Sequence, residues 1–324
     1  MSTLPLWRTI QKRNFTNWAH LADFLELSSA HRAQLLRTPT FSLNLPERLA
    51  NKIQKNQLDD PILRQFVPLQ EETLSSPGFV QDPIQDLSFR QTHKLLKKYA
   101  GRALIVTTRA CAMHCRFCFR QNFPYETQEV GFESEIEAIA KDREIQEVIL
   151  SGGDPLSLSD ASLGSLLTAL THIPHLQRIR FHTRFPIGIP DRIDHSFLTL
   201  LSSCPKQIIF VIHCNHPKEF DADVARHLKQ LQTLGIPVLN QSVLLRGVND
   251  DEETLLSLSQ VLINGGVLPY YLHQLDPVQG AAHFAVSDQR ALSLIHFLQE
   301  RLSGYGVPRL VRENPGYPSK SPIY

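Results

Sequence analysis

The sequence lacks the long apolar segments that would place it in a membrane. No window approaches the roughly 20 apolar residues that a spanning helix needs. The N-terminus, MSTLPLWRTIQKRNF, also has no apolar stretch of the kind found in a secretory signal. We therefore expect a cytoplasmic protein without a membrane partner.

An excess of one charge is also missing. Lys and Arg number 33 against 32 Asp and Glu, so the formal net charge is +1, and no basic run or charge-biased half is present. Because binding to a nucleic-acid backbone depends on clustered basic charge, no nucleic-acid partner is expected. The hydrophobic content of 42% is ample for the core of an ordinary globular protein.

The chain shows no internal repeat or low-complexity tract, and its patterns divide it into three segments. Residues 1–100 contain short helical patterns cut by prolines, which predict a helical extension. Residues 101–280 alternate short β-branched runs with helical segments, and residues 281–324 contain one helix and a tail rich in glycine and proline. The predicted helices include Ser162–Leu170, Asp223–Leu234 and Ser287–Leu302.

Six strands are predicted in the middle segment: Arg102–Thr108, Glu147–Gly152, Arg178–Arg184, Gln207–Asn215, Pro237–Leu245 and Val267–Asp276. Strands that alternate with helices form a parallel sheet, which is either open and doubly wound or curved into a barrel. Both α/β architectures place functional residues at the carboxyl ends of the strands.

Three of the five cysteines are crowded directly after the first predicted strand. Cys111, Cys115 and Cys118 lie in CAMHCRFC, whereas Cys204 and Cys214 are distant and have no paired spacing. In a reducing compartment such crowding indicates metal binding rather than disulfides. Three thiolates can bind three irons of a [4Fe–4S] cluster and leave the fourth iron open to an amine and carboxylate, such as those of S-adenosylmethionine.

A structural zinc site with His114 as the fourth ligand is the alternative interpretation of these cysteines. His114 directly precedes Cys115, which is an awkward position for closing one small tetrahedron. Structural zinc also takes its ligands more often from two separated pairs. A non-catalytic zinc-binding protein therefore stays as a remote alternative.

Polar residues stand at the ends of the other predicted strands. Strand two ends in a turn whose two glycines allow a sharp bend and a close approach to a ligand, formed by Ser151, Gly152, Gly153 and Asp154. His213 and Gln241 interrupt otherwise apolar strands. Buried polar side chains of this kind need partners.

The CxxxCxxC spacing, with an aromatic residue before the last cysteine, resembles the signature of the radical S-adenosylmethionine superfamily. Longer blocks narrow the resemblance to the lysine 2,3-aminomutase family, and they are DDPILRQ, CRFCFRQNF, ILSGGDPL, HTRFPIGIPDRI, NQSVLLRGVND, PYYLHQLDPVQGAAHF and SGYGVPRLV. The resemblance implies a partial (β/α)6 TIM-like barrel. It also implies three cofactors: a [4Fe–4S] cluster, S-adenosylmethionine and pyridoxal phosphate.

The resemblance assigns cofactor roles to particular residues. The three cysteines match the metal ligands, and Lys320 in NPGYPSK matches the lysine that carries pyridoxal phosphate. Tyr99 and Arg102 match positions that stack on the pyridine ring and bind its phosphate. The residues that match contacts to S-adenosylmethionine are Ser151, Gly152, Gly153, Asp154, His213 and Gln241.

The resemblance also assigns substrate contacts. Arg120 matches the arginine that binds the substrate carboxylate, and Asp276 and Glu313 match two acids that bind its distal ammonium. Glu313 stands where the family usually has aspartate. A guanidinium suits a carboxylate, and two acids suit one buried cation. Together these residues match the charged groups of L-lysine.

The implied reaction is the isomerisation of L-lysine to β-lysine. A 5′-deoxyadenosyl radical removes a hydrogen from the β-carbon, and the amino group then moves from Cα to Cβ. Lys320 must be neutral to bind its cofactor covalently. We expect the C-terminal tail to fold back over the barrel mouth, because a mobile tail could not hold a cofactor in place.

The sequence ends at Tyr324, has no cysteine after Cys214, and carries Asp251 where metabolic members of the family tend to have cysteine. We therefore expect no zinc-binding tail. The short form resembles members that supply (R)-β-lysine for attachment to elongation factor P by its lysyl-transferring ligase. A metabolic lysine or other amino-acid 2,3-aminomutase is the alternative, and a glutamate-directed enzyme should not keep two acids at Asp276 and Glu313.

Overall fold

A computed structural model describes residues 4–125 and 131–324 of the chain. Within these residues the strands form one nine-stranded sheet in the order β1 to β9. The strands are β1 Leu95–Tyr99, β2 Arg102–Thr108, β3 Glu147–Gly152, β4 Arg178–Thr183, β5 Gln207–Ile212, β6 Val238–Val243, β7 Leu268–His273, β8 Arg309–Arg312 and β9 Ser321–Pro322.

The α-helices are α1 Leu6–Gln11, α2 Trp18–Phe24, α3 Ser29–Ala33, α4 Glu47–Ala50, α5 Pro61–Phe66, α6 Glu133–Lys141, α7 Asp160–Thr171, α8 Phe185–Gly188, α9 His195–Ser202, α10 Ala222–Thr233, α11 Glu252–Asn264 and α12 Asp288–Gln299. Short 3-10 turns lie at Gln70–Thr73, Asp86–Phe89, Pro155–Ser157, Pro190–Arg192, Pro217–Glu219, Ala282–Phe284 and Gly304–Gly306. No helix in this part of the chain is long and apolar enough to cross a membrane.

Strands β2 to β8 are parallel, and each pairs with the strand that precedes it in the sequence. A doubly wound sheet reverses its strand order at a switch point, whereas a barrel keeps neighbours in sequence order. The sheet is therefore of the barrel type and open at its edges. All six predicted strands are confirmed, and four of them end before the predicted residue because their polar ends continue as loops.

Three strands were not predicted from the sequence. β1 pairs antiparallel with β2, and the predicted boundary at residue 100 falls between them. β8 extends the parallel sheet beyond the six predicted strands. β9 pairs antiparallel with β8, so the tail folds back as predicted and brings Lys320 to the sheet.

The three predicted helices are present as α7, α10 and α12, and each begins at a side-chain cap. Ser159, Asp221 and Ser287 accept hydrogen bonds from backbone N–H groups of the first turn. Such caps satisfy donors that the helix itself cannot. These helices turn their buried leucines toward the sheet and complete the main core.

A second apolar cluster lies at the carboxyl ends of the strands. It joins the cysteine loop to the loops after β6 and β7, and its buried members are Phe117, Leu245, Val248, Val278, Ala281 and Phe284. The cysteine loop is therefore packed against neighbouring loops on an apolar surface, which limits how far it can move.

Candidate active site

A cavity of about 540 Å³ opens at the carboxyl ends of the parallel strands. This volume is typical of small-molecule sites. Every residue to which the sequence assigns a site role lines it: Tyr99, Arg102, Cys111, Cys115, Cys118, Arg120, Ser151, Gly152, Gly153, Asp154, His213, Gln241, Asp276, Glu313 and Lys320.

The cysteine loop is held from outside by the N-terminal extension. Asn44 Nδ2 donates to the carbonyl of Cys111 at 3.2 Å, and Asn14 Nδ2 donates to that of Ala112 at 2.7 Å. Arg116, inside the cysteine motif, is almost completely buried and forms an ion pair with Glu72. The extension therefore fixes the backbone that carries the thiols.

The three thiols can supply the ligands of an iron–sulfur cluster. All three are free cysteines that line the same cavity. Burial raises the pKa of each thiol, and it raises that of Cys118 to about 12 with the nearby Cys115 adding to the effect. Because thiolates are the ligands, loading metal must displace these protons.

His114 lines the cavity but is already engaged by residues of the N-terminal extension. Its Nδ1 lies 2.8 Å from the carbonyl oxygen of Ser42, and its ring stacks on Phe41 with centroids 4.5 Å apart. In the described residues, no three His, Cys, Asp or Glu side chains are arranged to hold one metal ion. Since the ligands of a cubane bind different irons, they stand further apart than the ligands of one ion. The donor set therefore fits the cluster better than mononuclear zinc.

Arg184 is a residue of this site that sequence reasoning missed. Its Nη1 donates to Cys115 Sγ at 2.9 Å, and its Nη2 donates to Gln65 at 2.6 Å and to Glu219 at 2.8 Å. Although burial raises the pKa of Cys115, this guanidinium opposes the rise. Its position directly after β4, in HTRF, is the signal that could have identified it.

The glycine turn lets β3 approach the cysteine loop closely. Gly152 has φ +116°, and a Cβ on Gly153 would lie 2.4 Å from the carbonyl oxygen of Ala110. The N–H of Gly153 donates to Thr108 and that of Asp154 donates to Ala110, at 2.6 and 2.8 Å. A side chain at either glycine would push the two loops apart.

Asp154 joins the ends of β3 and β4. Its carboxylate accepts hydrogen bonds from the hydroxyl of Thr183 at 2.7 Å and from the N–H groups of Arg184 and Phe185 at 2.8 and 3.0 Å. Burial raises its pKa to about 6 although these donors oppose the rise. Direct contact between Asp154 and a ligand amino group stays a prediction.

Three histidines line the cavity at the carboxyl ends of β4, β5 and β7. His213 follows β5, with Nε2 3.1 Å from Asn215 Oδ1, and His182 on β4 and His273 on β7 were not singled out from the sequence. Burial lowers the pKa of all three well below the usual range. These neutral rings leave the cavity wall polar without adding charge. The predicted contacts of His213 and Gln241 with S-adenosylmethionine stay predictions.

Charged residues from β1 and the C-terminal tail meet at Glu313. Lys320 Nζ lies 2.8 Å from its Oε2, Lys98 Nζ lies 2.8 Å from its Oε1, and the hydroxyl of Tyr99 donates to the same Oε1. Although burial alone would raise the pKa of Glu313, these partners lower it to about 2. Lys98 is a member of this cluster that the sequence did not identify.

Asp276 lines the same cavity, but its pKa is shifted in the opposite direction from that of Glu313. Burial raises its pKa to about 7, and Glu313 adds to the rise while Lys320 and Lys98 oppose it. Because burial of a carboxylate disfavours its charged form, this side chain is suited to pairing with an added cation.

Arg120 is oriented by two contacts. Its Nε donates to Asp86 Oδ2 at 2.7 Å, and its Nη1 donates to Ser151 Oγ at 3.3 Å. These contacts use two of the five N–H donors of the guanidinium. The others can bind a carboxylate in the cavity.

Comparisons with known proteins agree with this geometry. Residues 105–258 match the family model described as the Radical SAM superfamily. The chain is 41% identical to an L-lysine 2,3-aminomutase of Haemophilus influenzae, over 97% of this chain and 94% of that protein. It is 43% identical to an L-lysine 2,3-aminomutase of Escherichia coli, over 87% of this chain and 83% of that protein.

The chain belongs to the lysine 2,3-aminomutase family of radical S-adenosylmethionine enzymes. Because this aminomutase family consists of isomerases, the predicted enzyme class is confirmed. The non-catalytic zinc-binding protein is excluded. The family's cofactors are a [4Fe–4S] cluster, S-adenosylmethionine and pyridoxal phosphate, as the sequence predicted.

A solved structure supports the barrel fold of this aminomutase family member. A radical SAM methyltransferase from Sphaerobacter thermophilus superimposes with a TM-score of 0.50 at 17% identity, over 67% of this chain and 68% of that chain. At this identity the likeness concerns the fold alone.

The residues near Lys320 have the groups that pyridoxal phosphate requires. Lys320 supplies an amine at the cavity. Arg102 and Arg309 both lie near Tyr271 and line the same cavity, so they can supply positive charge to a phosphate. The guanidinium of Arg102 lies 4.6 Å from the ring centroid of Tyr99. The individual roles of these residues stay predictions.

Proposed function

We propose that this aminomutase isomerises L-lysine to (R)-β-lysine. The observation that carries the proposal is the pair of acids, Asp276 and Glu313, in a cavity that also contains the Arg120 guanidinium. Lysine has one carboxylate for the arginine and one distal ammonium for the acids. The distal carboxylate of glutamate would instead meet two acids, which disfavours it.

The residues of the chain have separate tasks in this proposal. Arg120, held by Asp86, binds the substrate carboxylate, and Asp276 with Glu313 binds the distal ammonium. Lys320 attaches pyridoxal phosphate, for whose phosphate Arg102 is the candidate partner. When bound, the cluster and S-adenosylmethionine supply a carbon radical, and pyridoxal phosphate supplies an aldehyde that carries the migrating amino group.

The packing around the cysteine loop supports this chemistry. Phe117, between the second and third cysteines, is buried and packs against Phe284 with ring centroids 6.0 Å apart. An apolar cover of this kind keeps water away from reactive species. Positioning of the substrate and exclusion of other reactants are the contributions expected of the protein.

The substrate assignment is tested with protein reconstituted under anaerobic conditions. With S-adenosylmethionine, pyridoxal phosphate and a reductant, L-lysine should give β-lysine, whereas L-glutamate should give no product. The Lys320→Ala and Cys115→Ala variants should each be inactive. Turnover of glutamate, or turnover of lysine by either variant, would contradict the assignment.

We further propose that the β-lysine serves the modification of elongation factor P. The support is the resemblance of the sequence to elongation factor P (R)-β-lysylation protein B. Loss of this protein should leave elongation factor P without β-lysine, and added (R)-β-lysine should restore the modification through the lysyl-transferring ligase. If the modification is unaffected, a metabolic role for β-lysine becomes the better interpretation.

A further inference from the structure

Glu313 is a buried carboxylate whose two oxygens are both engaged. Its side chain is only 6% exposed. Oε1 binds Lys98 and the hydroxyl of Tyr99, and Oε2 binds Lys320. A substrate ammonium that approaches Glu313 therefore meets a carboxylate already paired with two lysines.

The charges of this cluster balance before any ligand enters. With both acids ionised, Asp276 and Glu313 carry two negative charges, and Lys98 and Lys320 carry two positive ones. Adding a distal ammonium to this buried set would leave one positive charge without a partner, which is unfavourable. Binding of a lysine substrate is favoured only when one of the two protein cations is removed.

Lys98 is the cation that is fixed in place. It belongs to β1, its Nζ also donates to the carbonyl of Ile84 at 2.9 Å, and it lies 5.2 Å from the ring centroid of Phe89. Lys320 precedes the two-residue strand β9 and has a side chain that is 24% exposed. Lys320 is also the amine that an aldehyde can neutralise.

We propose that Glu313 serves two ammonium groups in turn: that of Lys320 before the cofactor is attached, and the distal ammonium of the substrate afterwards. This inference rests on the proposed lysine substrate. Lys98 and Tyr99 act as positioning residues that stay bound to Oε1 of Glu313. The departure of Lys320 frees Oε2 for the substrate ammonium. Attachment of the cofactor thereby creates the vacancy that the substrate fills.

The covalent step removes one positive charge from the cluster. Lys320 leaves Glu313 and releases one proton to solvent, so that the neutral amine can attack the aldehyde carbon of pyridoxal phosphate. A nitrogen–carbon double bond forms, and the two remaining N–H hydrogens leave with the aldehyde oxygen as water. The net charge of the cluster becomes −1, which matches one ammonium. When the α-amino group of the substrate then takes the aldehyde, its proton goes to solvent and Lys320 is released as a neutral amine, so the distal ammonium still meets a protein charge of −1.

The test measures how fast pyridoxal phosphate attaches to cofactor-stripped, cluster-loaded protein, followed by the absorbance of the adduct in stopped flow. Glu313→Gln should attach the cofactor about tenfold faster, because no ion pair has to be broken. Lys98→Met should attach it more slowly, because Glu313 then keeps Lys320 as its only cationic partner. Lys98→Arg should restore the wild-type rate.

Lys97→Met is the matched control. Lys97 neighbours Lys98 on β1 but pairs with Asp142 and Glu144, so its loss should leave the attachment rate unchanged. A purely structural role for Glu313 and Lys98 would slow both variants. That result, or an unchanged rate in Glu313→Gln, overturns the inference, as does a wild-type protein that forms no adduct.

Binding of the substrate ammonium to Glu313 is tested by steady-state kinetics. In the loaded enzyme, Glu313→Gln should raise the KM for L-lysine about tenfold with a smaller effect on kcat, since a ground-state contact is lost. An unchanged KM in Glu313→Gln overturns the proposal that Glu313 binds the substrate ammonium after it has released Lys320. If the variants show the expected rates of cofactor attachment while the wild-type enzyme does not turn over lysine, the proposed function fails. The release of Lys320 from Glu313 on cofactor attachment then stands.

Discussion

At the scale of single residues, the two acids of the cavity differ in how their charge responds to pH. The pKa of Glu313 is lowered to about 2, so it stays ionised under ordinary conditions. Burial raises the pKa of Asp276 to about 7, with Glu313 and Asp86 adding to the rise against Lys320 and Lys98. Asp276 is therefore protonated below about pH 7 in the ligand-free protein.

Lysine binding should consequently strengthen as pH rises. A neutral carboxyl cannot pair with an ammonium, so the KM for L-lysine should fall about tenfold between pH 6 and pH 8 as Asp276 ionises. The Asp276→Asn variant should have a higher KM that lacks this dependence. Steady-state kinetics across the range measures both, and an identical pH profile in the variant would contradict the role of Asp276.

Residues that a motif marks could be placed at one site from the sequence, whereas residues whose pairing depends on the fold could not. Lys320, Glu313 and Asp276 were expected at one site from the resemblance, and all three line the same cavity. Lys98 and Arg184 were missed because their partners, Glu313 and Cys115, are distant in sequence. A lysine in LLKKY has no local feature that marks it as buried.

At the scale of elements, the glycine turn and the cysteine loop touch through their backbones with no room for a side chain. A Cβ at Gly153 would lie 2.4 Å from one backbone atom and 2.7 Å from another. Two loops that must touch through their backbones can be joined only where side chains are absent. The turn therefore sets the distance between β3 and the thiols.

The Gly153→Ala variant should separate these loops. We expect destabilisation of about 1 to 3 kcal/mol, together with reduced iron content, because the cysteine loop is displaced. Chemical denaturation and iron analysis measure the two effects. Gly304→Ala is the control, since a Cβ there has no atom within 4 Å. Full iron content in Gly153→Ala would refute this role of the turn.

The six predicted strands are short apolar runs, mostly β-branched or aromatic, that end in polar residues, and this pattern is readable without the fold. β1 was missed because LLKKY has two adjacent lysines, and β9 because two residues are too short to form a pattern. β8 is a four-residue segment, RLVR, with a charge at each end. Pairing with neighbours, rather than local sequence, makes these segments strands.

At the scale of the whole molecule, the N-terminal extension is part of the cluster site. Arg116 lies between two cysteines. Its guanidinium pairs with Glu72, and its backbone N–H donates to the backbone carbonyl of Gln65 at 2.9 Å. A helical extension could be predicted from residues 1–100. Its contacts with the cysteine loop could not, because they join residues more than 40 positions apart.

Breaking this buried ion pair should affect both stability and metal binding. The Glu72→Ala variant leaves the Arg116 guanidinium without its charge partner, which should cost about 3 to 5 kcal/mol and reduce iron retention. Denaturant unfolding and iron analysis of the same preparation test this. Glu137→Ala, which removes an exposed pair with Lys141, should leave both properties unchanged. Equal stability and equal iron retention in the two variants would contradict the role of the Arg116–Glu72 pair in the cluster site.

The proposed reaction requires one cavity that holds the cluster cysteines together with Lys320 and the two acids. The most direct measurement uses L-lysine carrying deuterium on its β-carbon, incubated anaerobically with the loaded enzyme and S-adenosylmethionine. Deuterium should appear at the 5′ carbon of recovered S-adenosylmethionine, because a radical formed at the cluster reaches substrate held in the same cavity by Arg120 and the two acids. Conversion of lysine while S-adenosylmethionine stays unlabelled would contradict a shared cavity.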